Sequence, residues 1–171
     1  MQYIEVECRC LRKEEISLAK RVFGETLPYN KIFLVNHTGT GNRPFTQAQL
    51  AKRNYYLHVG PQIFFDATSK APWSYSEGEV KERRCDVFIH ELTHAWQGEH
   101  QPTVLKQKSL YHQPPSKNEY NYALGASWNS YDAEQQAQIV EDWFNPRVGG
   151  ESTEDSRYRY IVENIRSRNP R

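Results

Sequence analysis

The chain has 171 residues, the size of one ordinary domain, and 22 Lys and Arg against 21 Asp and Glu give it a formal net charge of +1. So small a charge creates no field that would attract nucleic acid or an acidic membrane. The mean hydropathy of -0.86 and the lack of a long apolar run exclude a membrane span. From the three cysteines we expect no disulfide framework, and from the opening residues we expect no Sec signal. We therefore expect a single monomeric domain over residues 1–171, synthesised in the cytoplasm.

The N-terminal half predicts a helix followed by a small sheet. Apolar residues recur at helical spacing over about residues 13 to 23, and Gly24 follows as a left-handed cap. Short apolar segments bounded by turn residues are typical of strands. Three such segments follow, at residues 31–35, 55–59 and 63–65. We expect these segments to form an antiparallel sheet.

A helix over residues 85–97 carries the residues that can perform chemistry. One arc of roughly 120 degrees on this helix is apolar and should pack into the core; it contains Cys85, Phe88, Ile89, Leu92, Ala95 and Trp96. Outside the arc, His90 and His94 stand one turn apart, with Glu91 beside them. Two neutral imidazoles at this spacing can bind one Zn²⁺, and a neighbouring carboxylate can take a proton from a metal-activated water. The spacing predicts a zinc site with Glu91 as general base.

The segment from His90 to Gln97 resembles the active-site helix of the HExxH zinc peptidases, the zincins, and its first five residues carry the match. With Thr93 inside it and Trp96 near its end, the longer string is similar to metallopeptidase domains from bacterial toxin and secretion contexts. Domains fused to type VI secretion spike proteins are among them. The resemblance implies an α+β, zincin-like fold, in which a small antiparallel or mixed sheet packs on the active-site helix and a mainly helical part follows.

The same resemblance implies a zinc-dependent peptidase with one Zn²⁺ per chain and a protein or peptide as substrate. It also implies a toxin or effector that a dedicated secretion system moves out of the cell. A secretion-system carrier or an immunity protein is then an expected partner, and neither nucleic acid nor membrane is one.

A catalytic zinc needs a third protein ligand, and His100 is one candidate. It lies six residues after His94, where a metzincin has its third histidine, but position 97 is Gln rather than the Gly of that motif. The only methionine is Met1, so the later Met-turn of the metzincins has no counterpart. These departures make His100 the weaker candidate.

Glu134 is the better candidate because it begins a second predicted helix, 40 residues after His94. Asp132 and Gln135 form a capping box at its start, and Asn145-Pro146 ends it. Its apolar side should be buried, and contains Ala133, Ala137, Val140 and Phe144. A glutamate in the first turn is also favoured by the helix dipole alone.

Glu134 placed in this way resembles the gluzincin pattern, which has a glutamate ligand on a helix after the HExxH motif. The proposed ligands are therefore His90, His94 and Glu134, and Glu141, two turns further on, is the substitute for Glu134. Some gluzincins support a histidine ligand through an aspartate four residues after the glutamate. Gln138 stands at that position here, so the support must come from another residue.

The resemblance implies the usual zinc-peptidase route, in which Zn²⁺ polarises the scissile carbonyl and Glu91 takes the proton of the activated water. The oxyanion needs a further donor, and we prefer none of five candidates: Tyr111, His112, Tyr120, Tyr122 and Tyr131. In zincins a sheet edge beside the site pairs with the substrate, and we expect residues 55–65 to supply it.

A last helix is predicted between Ser152 and Pro170, with Tyr158, Ile161, Val162 and Ile165 on one side.

Two other functional interpretations stay open. A noncatalytic zincin-fold module would bind a partner protein or a cell-wall fragment; a homologue that had lost activity would be expected to lose the base first, and Glu91 is present. A peptidoglycan amidase or endopeptidase would use the same site, because zinc chemistry cleaves any suitably placed amide.

Overall fold

The computed structural model describes residues 5–68, 73–74, 80–81, 84–104 and 119–167. It shows a mixed α/β architecture whose elements follow one another in this order: β1 (Cys8–Cys10), α1 (Lys13–Phe23), β2 (Ile32–Val35), β3 (Phe45–Gln49), β4 (Asn54–His58), α2 (Gly60–Phe65), β5 (Trp73–Ser74), β6 (Val80–Lys81), α3 (Arg84–His100), α4 (Ala133–Phe144) and α5 (Tyr158–Tyr160), which continues as one π-helical turn (Ile161–Ile165). Within these described residues no helix is long and apolar enough to cross a membrane.

The first predicted helix is confirmed and Gly24 caps it with a positive φ, but its ψ of -125° is not that of the predicted left-handed cap. Helix α1 spans Lys13–Phe23, and Glu15 closes its N-terminus by accepting a hydrogen bond from the main-chain N–H of Arg12 at 2.7 Å. Gly24 has a φ of 56° and donates its N–H to the carbonyl of Lys20, a conformation that glycine adopts without strain.

The sheet is mixed, and the antiparallel pairing predicted for segments 31–35 and 55–59 is wrong. Strand order is β1-β2-β4-β3, and β2 runs parallel to β4, with Ile32 opposite Tyr55. The polar segment Phe45–Gln49 is strand β3, which the sequence pattern did not indicate, and it pairs antiparallel with β4. Because β3 carries the chain back across the sheet, β4 can run in the same direction as β2.

Residues 63–65 belong to a helix, so the strand predicted there is also wrong. Helix α2 spans Gly60–Phe65, has Pro61 in its first turn, and begins at Gly60 with a φ of 77°. Ile63 and Phe64 are buried while Phe65 is 59% exposed. A run of three apolar residues fits a strand or a buried helical turn equally well, and proline at a helix start is the feature that separates the two.

Helices α3 and α4 form the part of the fold that positions the site. The six residues of the predicted apolar arc of α3 are all buried, and α3 packs most extensively on α4 and also contacts β3. Helix α4 has the predicted capping box, in which the Asp132 carboxylate accepts the Gln135 N–H at 2.9 Å. Its apolar side, including Ala137 and Val140, is buried against α3 and the core.

The last predicted helix is confirmed only in part, because the helical residues are Tyr158–Tyr160 and the π turn Ile161–Ile165. Ile161 and Ile165 are buried, but Val162, predicted on the same side, is 44% exposed. The wider π turn changes which residues share a face, so a prediction made at 3.6 residues per turn fails there.

Candidate metal centre

The three predicted ligands, His90, His94 and Glu134, lie together. Their ligand atoms are all within 4.8 Å of one another. Glu134 Oε2 is 3.1 Å from Nε2 of His90 and 3.4 Å from Nε2 of His94. Both histidines are buried, and the side chain of Glu134 is 14% exposed. Two turns of α3 and the first turn of α4 therefore direct three donor atoms to one point.

Each imidazole is held from behind through its other nitrogen. Nδ1 of His90 lies 2.9 Å from Oε2 of Glu141, and Nδ1 of His94 lies 2.7 Å from Oε1 of Gln97. Carboxylate and amide oxygens only accept, so each Nδ1 donates its proton and the lone pair of a neutral ring is on Nε2. Both Nε2 atoms face Glu134. The tautomer with its proton on Nδ1 leaves the Nε2 lone pair available to bind a metal ion.

Glu141 and Gln97 supply the support that Gln138 does not give. Glu141 was the substitute ligand in the sequence-based prediction, and the structure places it on the far side of His90 instead. The sequence-based prediction did not include Gln97 as the residue that holds His94. Its position, three residues after His94 on a buried helix, could have indicated this contact. Gln97 is fully buried, which an amide tolerates only when its hydrogen bonds are made.

The amide of Gln97 also connects the two helices. Its Nε2 donates to the carbonyl of Ala133 at 2.9 Å and to Oε1 of Gln136 at 3.0 Å. Gln136 in turn donates to the carbonyl of Trp128 at 3.1 Å. Ala133 precedes Glu134 directly, so this chain of hydrogen bonds fixes the first turn of α4, where the third ligand is, relative to His94.

The electrostatics of the centre favour a positive charge at His90. Burial lowers the pKa of His90, but hydrogen bonds to Glu134 and Glu141, with the charges of Glu141 and Glu91, outweigh it and raise that pKa to about 10. Three carboxylates around one imidazole therefore carry excess negative charge. A proton on His90 balances it in the metal-free protein, and a bound cation can balance it in its place.

Glu91 is buried beside the ligands and is held by the sheet. The hydroxyl of Thr46, on β3, lies 2.7 Å from Oε2 of Glu91. This contact was missed because β3 was not predicted as a strand.

The remaining candidates from the sequence lie elsewhere. His100, the alternative third ligand, donates from Nε2 to the carbonyl of Thr26 at 2.8 Å, and it is outside the His90, His94 and Glu134 group. Tyr111 and His112 lie outside the described residues.

Of the three candidate tyrosines that the structure describes, Tyr120 alone has a ring contact with a predicted ligand: its ring centroid is 5.9 Å from that of His90. Tyr122 donates to Asp142 at 2.5 Å, and Tyr131 donates to the carbonyl of Ala123 at 2.7 Å. Burial, followed by the charge of Glu134, raises the pKa of Tyr120 to about 12, so its hydroxyl keeps its proton at neutral pH.

Comparisons with known proteins associate the chain with the effectors of a bacterial secretion system. No protein-family model matches it. Over 90% of its length it superposes on a solved effector domain of a type VI secretion protein, with a TM-score of 0.54, 28% identity and 83% of that domain covered. That domain belongs to VgrG2b of Pseudomonas aeruginosa. The full-length type VI secretion system spike protein VgrG2b is 31% identical over 165 residues, which cover 92% of this chain and 15% of VgrG2b. The chain is thus a homologue of the effector domain and spans about 15% of the whole spike protein.

Proposed function

We propose that this chain is a zinc-dependent peptidase that acts as an effector of type VI secretion. The observation that carries the proposal is the convergence of His90, His94 and Glu134 within 4.8 Å, with Glu91 next to the first ligand in sequence. The homology to an effector domain supports the delivery route. An α+β zincin fold with a gluzincin-like ligand set is part of the same proposal.

The donor set suits zinc. Two imidazole nitrogens and one carboxylate are a common ligand set of catalytic zinc sites, which leave the fourth position open. The Nδ1 hydrogen bonds to Glu141 and Gln97 match the support that metal-binding histidines receive. A Zn²⁺ ion held there would polarise the scissile carbonyl and lower the pKa of the attacking water.

The residues of the chain have separate tasks in this reaction. Glu91 accepts the proton of the attacking water and delivers it to the leaving amine. Tyr120, which stays protonated at neutral pH, donates to the oxyanion that develops on the carbonyl. The buried position of Glu91 and of both histidines keeps bulk water away from these charges, which strengthens each interaction.

Strand β3 is the sheet edge that would bind an extended substrate. The prediction that residues 55–65 supply this edge is wrong, because β4 lies inside the sheet and Gly60–Phe65 is helical. β3 is an edge strand of the sheet, next to β4, and it contacts helix α3. A peptide added to β3 would lie beside Glu91, which Thr46 of the same strand contacts.

The deciding experiment measures zinc per chain by elemental analysis and cleavage of labelled casein with the same preparations. We expect about one zinc in the wild type and little in Glu134→Ala. Glu163→Ala should keep full zinc, because it removes an exposed carboxylate that is outside the group of His90, His94 and Glu134. Glu91→Ala should retain zinc and lose activity by about 100-fold or more.

Other results lead to the alternatives. A wild type that binds no supplied zinc overturns the peptidase proposal and favours a binding module. Retained zinc in Glu134→Ala overturns the proposed ligand set. Cleavage of peptidoglycan stem peptides without cleavage of casein assigns the same site to an amidase or endopeptidase.

A further inference from the structure

We propose that Thr46 is a positioning residue that holds the carboxylate of Glu91 in place for proton transfer. The inference rests on the proposed function and adds to it a residue outside the HExxH helix. Thr46 lies on β3, 45 positions before Glu91, so only the fold brings the two together.

The contact is direct and local. Oγ1 of Thr46 lies 2.7 Å from Oε2 of Glu91 and 2.9 Å from the main-chain carbonyl oxygen of the same residue. Glu91 is buried, and Thr46 is partly buried. Among the residues that the structure describes, Thr46 makes the one hydrogen bond to the Glu91 side chain, and Oε1 has none. One carboxylate oxygen is thus held while the other is left for a water molecule.

The hydroxyl suits both protonation states of a general base. A threonine hydroxyl has one proton to donate and two lone pairs to accept with. While Glu91 is ionised, Thr46 donates to its Oε2. When Glu91 has taken a proton on Oε1, its Oε2 is still an acceptor, so Thr46 keeps donating to Oε2. The same residue therefore holds the side chain through the whole proton transfer without a buried polar atom losing its partner.

Strand β3 restricts the movement of Thr46. Thr46 is paired with Leu57 of β4, a buried core residue, in the antiparallel hairpin. A base held by a sheet residue has less freedom than one that extends from its own helix alone. Misplacement of a catalytic group by about 1 Å can cost about 100-fold in rate.

The test compares Thr46→Val, which keeps the shape and removes the hydroxyl, with Thr46→Ser, which keeps the hydroxyl. We expect Thr46→Val to lose about 10- to 100-fold in kcat with KM within about twofold, and Thr46→Ser to stay within about threefold of the wild type. Zinc per chain should be unchanged in both. Thr46→Ala is the second variant without a hydroxyl should Thr46→Val fold poorly.

Thr26→Val is the matched control. Its hydroxyl also contacts two oxygens, the carbonyls of Phe23 at 2.7 Å and Ile165 at 2.8 Å, and it makes no contact with Glu91. We expect a lower Tm with kcat unchanged. Equal kcat losses in the Val and Ser variants of Thr46, or wild-type kcat in Thr46→Val, would overturn the positioning role.

A second readout does not need catalysis. The difference in Tm between Thr46→Val and Thr46→Ser should shrink when both are made in a Glu91→Ala background, because the carboxylate that the hydroxyl holds is gone. A difference that does not depend on Glu91 would overturn the contact itself. Absence of activity in the wild type, with the Tm difference still dependent on Glu91, would overturn the peptidase proposal and leave the contact established.

Discussion

Glu134 and Glu141 hold the two nitrogens of one imidazole: Oε2 of Glu134 is 3.1 Å from Nε2 of His90, and Oε2 of Glu141 is 2.9 Å from Nδ1. The two glutamates are seven residues apart, two turns of α4, and so stand on the same side of that helix. A single helix thereby supplies both a candidate ligand and the residue that orients its neighbour.

Removal of the charge at Glu141 should weaken metal binding without removing a ligand. In Glu141→Gln the amide oxygen can still accept from His90 Nδ1, but the negative charge is lost. We expect zinc affinity to fall about 10- to 100-fold, the usual effect of altering such a support. Competition with a chelator of known affinity measures it, with Glu163→Gln as the exposed control. Equal affinities in the two variants would contradict the assigned role.

Gln97→Leu should destabilise the metal-free fold. The change leaves His94 Nδ1 and Gln136 Oε1 without the partner that each now has, and it removes the bond from Gln97 to the Ala133 carbonyl. An unsatisfied buried polar group costs about 1–3 kcal/mol, so we expect a loss of about 2–5 kcal/mol in the free energy of unfolding. Urea denaturation measures it. Gln62→Leu, at an exposed position, should change stability by about 0.5 kcal/mol or less.

The metal-free protein should lose stability as the pH rises above neutrality. The pKa of His90 is raised from 6.5 to about 10 in the folded state, so between these values the folded chain holds a proton that the unfolded chain has released. The stabilisation is complete below pH 6.5 and falls as the pH approaches 10. Urea midpoints measured with a chelator across this range should decline in the wild type more steeply than in His90→Gln. Parallel curves would show that His90 does not carry the effect.

Gly149 should not tolerate a side chain. A Cβ at this position would lie 2.6 Å from Cα and 2.7 Å from the carbonyl oxygen of Trp143, at the C-terminal end of α4. Backbone atoms cannot move aside at low cost, so Gly149→Ala should lose about 1–3 kcal/mol. Thermal unfolding measures the loss, and Val148→Ala, at a half-exposed neighbour, is the control. A Tm equal to that of the control would contradict the close approach.

Local patterns predicted the helices that carry the site, and they did not predict the pairings between distant segments. The spacing of His90, Glu91 and His94 and the capping box at Asp132 are properties of neighbouring residues, so the sequence contains them directly. The parallel β2–β4 pair depends on where the chain returns across the sheet. That return is β3, whose polar residues do not show the apolar alternation of a typical strand.

The contacts around the ligands are likewise of two kinds, local ones that the sequence can predict and distant ones that it cannot. Gln97 lies within one turn of His94, and a buried amide at that spacing was open to prediction. Thr46 reaches Glu91 from another element, and nothing in the residues around it indicates the contact. Helical spacing predicts that Glu141 lies on the same face as Glu134, but which of the two carboxylates meets Nε2 of His90 depends on how α4 packs on α3.

For the zinc peptidase proposed here, the distribution of the candidate ligands over α3 and α4 would affect which molecules are cleaved by other copies of the same enzyme. A peptidase cleaves loosened chains most readily, and those chains include other molecules of the same enzyme. A molecule without the ion would lack a link between the two helices and would be a better substrate. It would also be inactive as a peptidase. The molecules most open to cleavage would therefore cleave no others, and only ion-bound copies could cleave them.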